Sequence, residues 1–130
     1  MCLASGDVIV AHKALIVDDS ASSRFMLKSF LADSDLDIFE AVNGQEAIEI
    51  YEEIKPDVTF MDLTMPVMSG FEAIKIIKEK NPEARIIVLS ADIQKNSISR
   101  INELGAFAFL KKPMQMTEIL DILKIALSDK

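Results

Sequence analysis

Short apolar runs alternate along this 130-residue chain with segments of helical periodicity, and this alternation restricts the fold more than any other feature. The runs predict five strands, at Ala14–Val17, Ile38–Val42, Val58–Met61, Ile86–Leu89 and Phe107–Leu110. Apolar residues recur every three to four positions between and after them, which predicts helices at Ala21–Ala32, Gln45–Ile54, Gly70–Glu79, Ile93–Leu104 and Met116–Leu127. Repeated strand–helix units predict an α/β domain with a parallel sheet and right-handed crossovers.

The order of the strands follows from their polarity. Four runs are continuously apolar, as is typical of central parallel strands that are buried on both faces. The second run carries Glu40 at its middle, which suits an edge strand. If this strand lies outside the first, the order is 2-1-3-4-5, that of a doubly wound, flavodoxin-like (βα)5 sheet. The ligand-binding crevice is then expected between strands one and three.

Two further predictions concern the apolar face of the first helix and the stability of the fourth. In the first, Phe25, Met26 and Phe30 are expected to share the apolar face. The fourth contains Asn96 and Ser97 among its weak helix formers and has few apolar anchors. We therefore expect it to be the least stable helix, and the one that carries an output signal.

Length, composition and charge restrict the class of protein. The length fits one domain, which we place at residues 13–130 after an N-terminal extension of residues 1–12. A net charge of −7, with no dense block of Lys or Arg, argues against a general nucleic-acid surface. No apolar stretch approaches the ~20 residues of a membrane span, and the start lacks the pattern of a signal peptide. The single Cys2 cannot form an internal disulfide, and a cytoplasmic location is expected.

Side chains suited to phosphate or metal chemistry follow four of the predicted strands. Asp18 and Asp19 follow the first strand, Asp62 the third, Ser90 the fourth, and Lys111 and Lys112 the fifth. Because parallel strands end at the same edge of a sheet, three carboxylates, a hydroxyl and an ammonium are expected to converge there.

Such a cluster of carboxylates needs a neutralising partner. Two unit charges 4 Å apart repel by about 4 kcal/mol at an effective dielectric constant of ~20. Either one carboxyl is protonated or a cation lies among them. Oxygen ligands without His or Cys favour Mg²⁺, Mn²⁺ or Ca²⁺ over zinc. A carboxylate beside a bound cation can also act as a nucleophile and form an aspartyl phosphate.

The residues divide into roles by position. Asp62 follows a buried strand, so its position is the most restricted, and we assign it the nucleophile's role. Asp18 and Asp19 would then hold the cation. Lys112 would neutralise the phosphoryl oxygens, and Ser90 would donate a hydrogen bond to them. Catalysis of this kind is chiefly positioning and charge neutralisation.

Each of these residues has a simpler interpretation when taken alone. Adjacent aspartates after a strand are commonly turn formers or helix caps. A serine there can be an N-cap, and a lysine can be an ordinary surface residue. The functional interpretation depends on the combination of these residues, because four independent strand ends carry complementary side chains that the predicted topology brings together. The only histidine, His12, precedes the first strand and is interpreted as a surface residue.

At these residues the chain, from about Lys13 to Lys130, resembles the receiver domain of two-component response regulators. The acidic pair Asp18-Asp19 matches the family's pair after the first strand, and Asp62, with Pro66 and Gly70 after it, matches the phosphoacceptor motif. Ser90 matches the Ser or Thr that ends the fourth strand, and Lys112-Pro113 matches the Lys-Pro after the fifth. Each motif is weak alone, but the set is highly specific.

The resemblance implies a phosphorylation-activated switch. Asp62 would accept a phosphoryl group from a sensor histidine kinase or a histidine phosphotransfer protein, with Mg²⁺ (Mn²⁺ as the alternative) held in addition by the backbone carbonyl of Thr64. Ser90 would be coupled to Phe109, and the surface of helix four, strand five and helix five would change its affinity for a downstream target protein, as in chemotaxis. A cis Lys112-Pro113 bond is also implied.

The same resemblance implies that the protein catalyses only its own phosphorylation and dephosphorylation and is not otherwise an enzyme. Neither nucleic acid nor membrane is an expected partner. A monomer, or a weak phosphorylation-dependent dimer, is the expected oligomeric state.

Other functions stay open at this point. The chain could be a phosphorelay intermediate, or a receiver domain from a longer regulator or hybrid kinase, instead of a stand-alone receiver. A flavin-binding electron carrier has the same topology, but Asp18 and Asp19 would repel the flavin phosphate. A hydrolytic phosphatase would need a general acid two residues after Asp62, where the chain has Thr64.

Overall fold

The structure, a computed structural model, describes residues 12–63, 68–91 and 95–128, and for residues 95–97 only the backbone is described. The strands are β1 (His12–Val17), β2 (Leu36–Ala41), β3 (Val58–Asp62), β4 (Ile86–Ser90) and β5 (Ala108–Lys111). The helices are α1 (Ala21–Phe30), α2 (Gly44–Ile54), α3 (Gly70–Lys80), α4 (Lys95–Glu103) and α5 (Met116–Leu127). None of the described helices has the length and the hydrophobicity that a membrane span requires.

The five strands form one parallel sheet in the order β2-β1-β3-β4-β5, which confirms the predicted fold class. β2 is an edge strand, as Glu40 indicated. Val17 of β1 lies opposite Met61 of β3, so the residues that follow these two strands face the same crevice. The proposed domain boundaries stay a prediction, because residues 1–11 lie outside the described part of the chain.

Helices cover both faces of the sheet. Side chains alternate along each strand, so neighbouring residues pack into different layers. One layer joins α2, α3 and α4 to the sheet through residues that include Ile48, Ile74 and Ile101. The other joins α1 and α5 to the opposite face through residues that include Leu27, Ile119 and Leu123. β3 and β4 are buried along their whole length, which restrains the residues at their ends.

Helix caps start three of the helices in the loops beside the site. The side chains of Ser20, Asn43 and Ser69 each accept a hydrogen bond from the backbone N–H three residues later. Such caps satisfy one of the four backbone donors that a helix leaves unpaired at its N-terminus. At the other end of α4, Gly105 has φ of 84°, a left-handed conformation that suits the predicted glycine at this position.

The predicted apolar face of α1 is wrong. Leu27 and Leu31 are the residues packed in the core, whereas Phe25 is 69% exposed and Met26 is 46% exposed. Phe30 is only partly buried against the core. The buried face therefore follows the i, i+4 pair of leucines and not the adjacent aromatic and sulfur side chains.

Ion pairs between α1 and β2 explain which face of α1 is directed at the sheet. Arg24 Nε lies 2.9 Å and Lys28 Nζ 3.0 Å from the carboxylate oxygens of Glu40. The hydrogen bond from Lys28 lowers the pKa of Glu40, although partial burial acts in the opposite direction. With Arg24 and Lys28 directed at the edge strand, the leucines face the sheet and Phe25 faces solvent.

Several element boundaries differ from the prediction, among them the start of β5. β5 starts at Ala108, and Phe107, predicted as its first residue, is exposed in the preceding turn. The guanidinium of Arg85 lies 5.4 Å from the centroid of the Phe107 ring. The described part of α4 begins at Lys95, and Ile93, where the helix was predicted to start, lies outside the described residues.

The Thr59→Val substitution is expected to stabilise the fold. Thr59 is fully buried in β3 between Leu15 and Ile86, and its hydroxyl has no hydrogen-bond partner among the described atoms. A buried unpaired hydroxyl costs about 1–3 kcal/mol, and valine has almost the same shape. Urea denaturation should therefore show a rise of about 1 kcal/mol in the free energy of unfolding. The same substitution at exposed Thr117 should change it by less than about 0.5 kcal/mol. A loss of stability in Thr59→Val would contradict this prediction.

Candidate functional site

Three carboxylates meet at the carboxyl edge of the sheet. One oxygen each from Asp18, Asp19 and Asp62 lies within 4.8 Å of the other two. Asp18 is 5% exposed and Asp62 is 8% exposed, whereas Asp19 is exposed to solvent. The structure thus brings together the three aspartates that the sequence predicts as neighbours, in the crevice between β1 and β3.

Backbone and side-chain hydrogen bonds hold Asp18 in place. Its backbone N–H donates to the carbonyl of Ala41, 3.1 Å away. Its Oδ1 accepts a 2.9 Å hydrogen bond from the backbone N–H of Ser20, and its carbonyl accepts one of 2.9 Å from Arg24 Nη1. Arg24 therefore joins the edge strand to the loop that carries the acidic pair, a role that no motif in the sequence indicated.

Lys112 contacts two of the three carboxylates. Its Nζ lies 2.8 Å from Asp18 Oδ2 and 3.3 Å from Asp62 Oδ1. Its backbone N–H donates to the carbonyl of Ser90, 2.9 Å away, and the Lys112-Pro113 bond is cis, as predicted. Burial by itself would lower the pKa of Lys112, but the hydrogen bond to Asp18 and the charge of Asp62 outweigh it and raise this pKa. Lys112 is thus held as an ammonium.

The electrostatic balance of the site favours a bound cation. Burial raises the pKa of Asp62, Lys112 acts in the opposite direction, and the charges of Asp18 and Asp19 raise it further. One ammonium cannot neutralise three carboxylates. An all-oxygen donor set with one exposed member, Asp19, suits a hard divalent cation, which usually keeps some of its water ligands. These three aspartates are the residues that could hold it.

Ser90 and Phe109 lie on the same face of the sheet. Ser90 ends β4 and is only 3% exposed. Phe109 of β5 lies opposite Val88, two residues before Ser90, and packs against the core layer of α2, α3 and α4. Because residues two apart on a strand share a face, the hydroxyl and the ring lie on the same side of neighbouring strands. The structure therefore places these two predicted switch residues in one layer.

The loop after Asp62 is closed by a glycine. The backbone N–H of Gly70 donates to the carbonyl of Leu63, 3.0 Å away. A Cβ atom at this position would lie 2.3 Å from the Asp62 carbonyl oxygen and 2.8 Å from the Leu63 Cα. Only glycine allows α3 to begin this close to the strand end. Thr64, the predicted carbonyl ligand, lies in the same loop but outside the described residues.

Comparisons with known proteins agree on the kind of domain. The family model of the response regulator receiver domain matches residues 14–124. The chemotaxis protein CheY of Thermotoga maritima is 43% identical over 115 residues, which cover 88% of this chain and 96% of that protein. The structure of CheY4 from Vibrio cholerae superposes with a TM-score of 0.84 at 30% identity, covering 91% of this chain and all of that one.

A second solved structure is a CheX–CheY–BeF3–Mg complex from Borrelia burgdorferi. It matches with a TM-score of 0.84 at 28% identity and covers 88% of this chain and 87% of that one.

The Gly70→Ala substitution should disturb the site through its backbone. The new methyl group meets the Asp62 carbonyl oxygen, a backbone atom that cannot move aside without shifting the loop. We expect the free energy of unfolding to fall by about 1–3 kcal/mol, together with shifted amide resonances at Asp62 and Leu63. Lys75→Ala, on the exposed side of the same helix, is the control and should change stability by less than about 0.5 kcal/mol. Equal stability of Gly70→Ala and the parent chain would contradict the close packing.

Proposed function

The chain belongs to the response regulator receiver domain family, and from this premise we propose that Asp62 is the phosphoacceptor of a phosphorylation-activated signalling switch. The observation that carries this assignment is the contact of Lys112 with Asp18 and Asp62 beside a third carboxylate, Asp19. The phosphodonor is a sensor histidine kinase or a histidine phosphotransfer protein, and the output is a change in affinity for a downstream target protein.

We propose Mg²⁺, with Mn²⁺ as the alternative, as the cation of this site. The fit rests on the donor set, because carboxylates suit both ions and the site contains neither His nor Cys. When bound, the cation neutralises the oxygens of the transferring phosphoryl group and lowers the repulsion among the carboxylates. Asp18, Asp19 and Asp62 would hold it, and the Thr64 carbonyl, a ligand that the family resemblance implies, stays a prediction.

The chain's own residues supply the rest of the chemistry. A carboxylate oxygen of Asp62 forms a bond to phosphorus while the bond from phosphorus to the donor's imidazole nitrogen breaks. The electron pair of that bond leaves with the imidazole, and an acyl phosphate remains on Asp62. The Lys112 ammonium and the Ser90 hydroxyl stabilise the phosphoryl oxygens. Hydrolysis by water restores the carboxylate, so we propose that the chain catalyses only its own phosphorylation and dephosphorylation.

The output follows from the position of Ser90 at the end of β4. If its hydroxyl turns toward the phosphoryl oxygens, space opens on the face of the sheet where Phe109 lies, and the ring can move inward. The surface of α4, β5 and α5 then changes shape. We propose that this surface binds the target protein. The cytoplasmic location and the monomeric or weakly dimeric state stay predictions.

The other candidate functions have less support. The matched CheY proteins of Thermotoga maritima and Bacillus subtilis are chemotaxis proteins, which favours a chemotaxis-type regulator over a phosphorelay intermediate. A flavin carrier would have to hold an anionic phosphate in the loop that contains Asp18 and Asp19. Near the partly desolvated Asp18, that phosphate would meet strong repulsion.

Phosphorylation by acetyl phosphate tests the assignment of Asp62. With Mg²⁺ present, the parent chain should take up one acid-labile phosphate, measured by intact-mass spectrometry. The Asp62→Asn variant should take up none, and neither should the parent chain with EDTA. Asp33→Asn, at an exposed aspartate of the α1–β2 loop, is the matched control and should be phosphorylated like the parent. Stable phosphate on the Asp62→Asn protein would disprove the assignment.

The Lys112→Gln substitution should strengthen cation binding while it slows phosphorylation. It removes a positive charge that contacts two of the carboxylates, so the repulsion between this ammonium and Mg²⁺ disappears. Calorimetric titration should show Mg²⁺ binding about five- to tenfold tighter, a change of about 1 kcal/mol that is well below the unscreened Coulomb limit.

Lys111→Gln is the control for this experiment, because Lys111 is exposed and adjacent in sequence. Its Mg²⁺ affinity should stay within about twofold of the parent value, since exposed charges are screened by solvent. Weaker Mg²⁺ binding by Lys112→Gln, in a protein that denaturation shows to be folded, would refute the proposed competition between ammonium and cation.

A further inference from the structure

The first turn of α3 is attached to the strand end that carries Asp62. Gly70 begins the helix, hydrogen-bonds the carbonyl of Leu63 and lies against the Asp62 backbone with no room for a Cβ atom. Ala73 and Ile74, one turn further on, are fully buried and fasten the helix to the sheet. A change in the backbone at Asp62 therefore displaces the start of α3.

Phe71, the residue after this contact, holds a side chain of the next helix. The Cζ atom of Arg100 in α4 lies 4.1 Å from the centroid of the Phe71 ring. This is well within the ~6 Å range of a cation–π interaction, and the planar guanidinium can stack on the ring face. Glu72 and Glu103 line the same groove, yet within the described part of the chain Arg100 forms an ion pair with neither.

α4 has few other anchors. Among its described side chains only Ile101 is fully buried, while Ile98 is partly buried and the other four are exposed. Between α3 and α4 lies an open groove of about 340 Å³, lined by Phe71, Arg100 and Leu104 among others. Because few of the described side chains of α4 are buried, the stacking of Arg100 on Phe71 is one of its main described contacts with α3.

We propose that Arg100 is a positioning residue whose stacking on Phe71 transmits the state of Asp62 from α3 to α4. This inference depends on the proposed phosphorylation of Asp62, and it adds a second connection to the one through Ser90 and Phe109. That connection passes through β4 and β5, whereas this one passes from the start of α3 to α4. Both lead to the same output helix.

Amide hydrogen exchange measures this transmission directly. The probe is Mg²⁺ with beryllium fluoride, a mimic of the phosphoryl group. In the parent chain, the probe should change the exchange rates both at residues 70–71 and at residues 98–104. In Phe71→Leu and Arg100→Gln, the change at residues 70–71 should persist. The change at residues 98–104 should shrink about two- to fivefold, the factor that a partly exposed cation–π contact represents.

For each residue, the exchange rate with the probe is divided by the rate without it. A general loosening of α4 raises both rates and therefore cancels in this ratio. Phe71→Tyr, which retains the ring, should restore the parent response. In the double variant Phe71→Leu/Arg100→Gln, the change at residues 98–104 should be no smaller than in either single variant, because the two substitutions remove the same contact. An unchanged α4 response in both single variants would overturn the inference, and so would additive losses in the double variant.

The experiment separates this inference from the function on which it depends. If acetyl phosphate does not phosphorylate Asp62 in the parent chain, the proposed function itself fails. If Asp62 is phosphorylated but the probe causes no change at residues 70–71, or the α4 response survives the loss of the stacking, only the role of Arg100 fails.

Discussion

Repulsion among three carboxylates is the constraint on which this structure depends. Two of them, Asp18 and Asp62, are almost fully buried, where a negative charge is most costly. Lys112 offsets part of this cost through its contacts of 2.8 and 3.3 Å, and it cannot offset all of it. The fold therefore keeps an excess of negative charge at one edge of the sheet, which a cation or a proton can neutralise. With a cation bound, the site can also bind phosphoryl oxygens.

The parallel sheet is what makes such a cluster tolerable. β1 and β3 are buried on both faces, so their ends are held by core packing, and the aspartates that follow have little freedom to separate. Gly70 closes the loop after Asp62 by a contact that excludes any side chain. The stability of the core thus offsets the repulsion among the carboxylates at the site.

The two helical layers have different relations to the site. α1 is fixed to the edge strand by the ion pairs of Arg24 and Lys28 with Glu40, and Arg24 also holds the loop of Asp18. On the other face, α3 starts at the Asp62 loop. Among the described side chains of α4, only Ile101 is fully buried, Ile98 is partly buried, and Arg100 stacks on Phe71. A change at the site therefore meets more resistance on the α1 side than on the α4 side. This difference gives a physical reason for an output surface that includes α4.

Much of this architecture could be read from the residues alone, because the signals are local. The period of the apolar residues predicted the strands and helices, and Glu40 indicated the edge strand. The polar residues at four strand ends predicted a cluster, of which Asp18, Asp19, Asp62 and Lys112 lie together in the structure. The face of α1, the closeness of Gly70 to Asp62 and the stacking of Arg100 on Phe71 were decided only by the tertiary structure. Each of these features depends on how one element is rotated and how closely it packs against another that is distant in sequence. The periodicity of a sequence does not specify which of several apolar or charged side chains contacts a given neighbour.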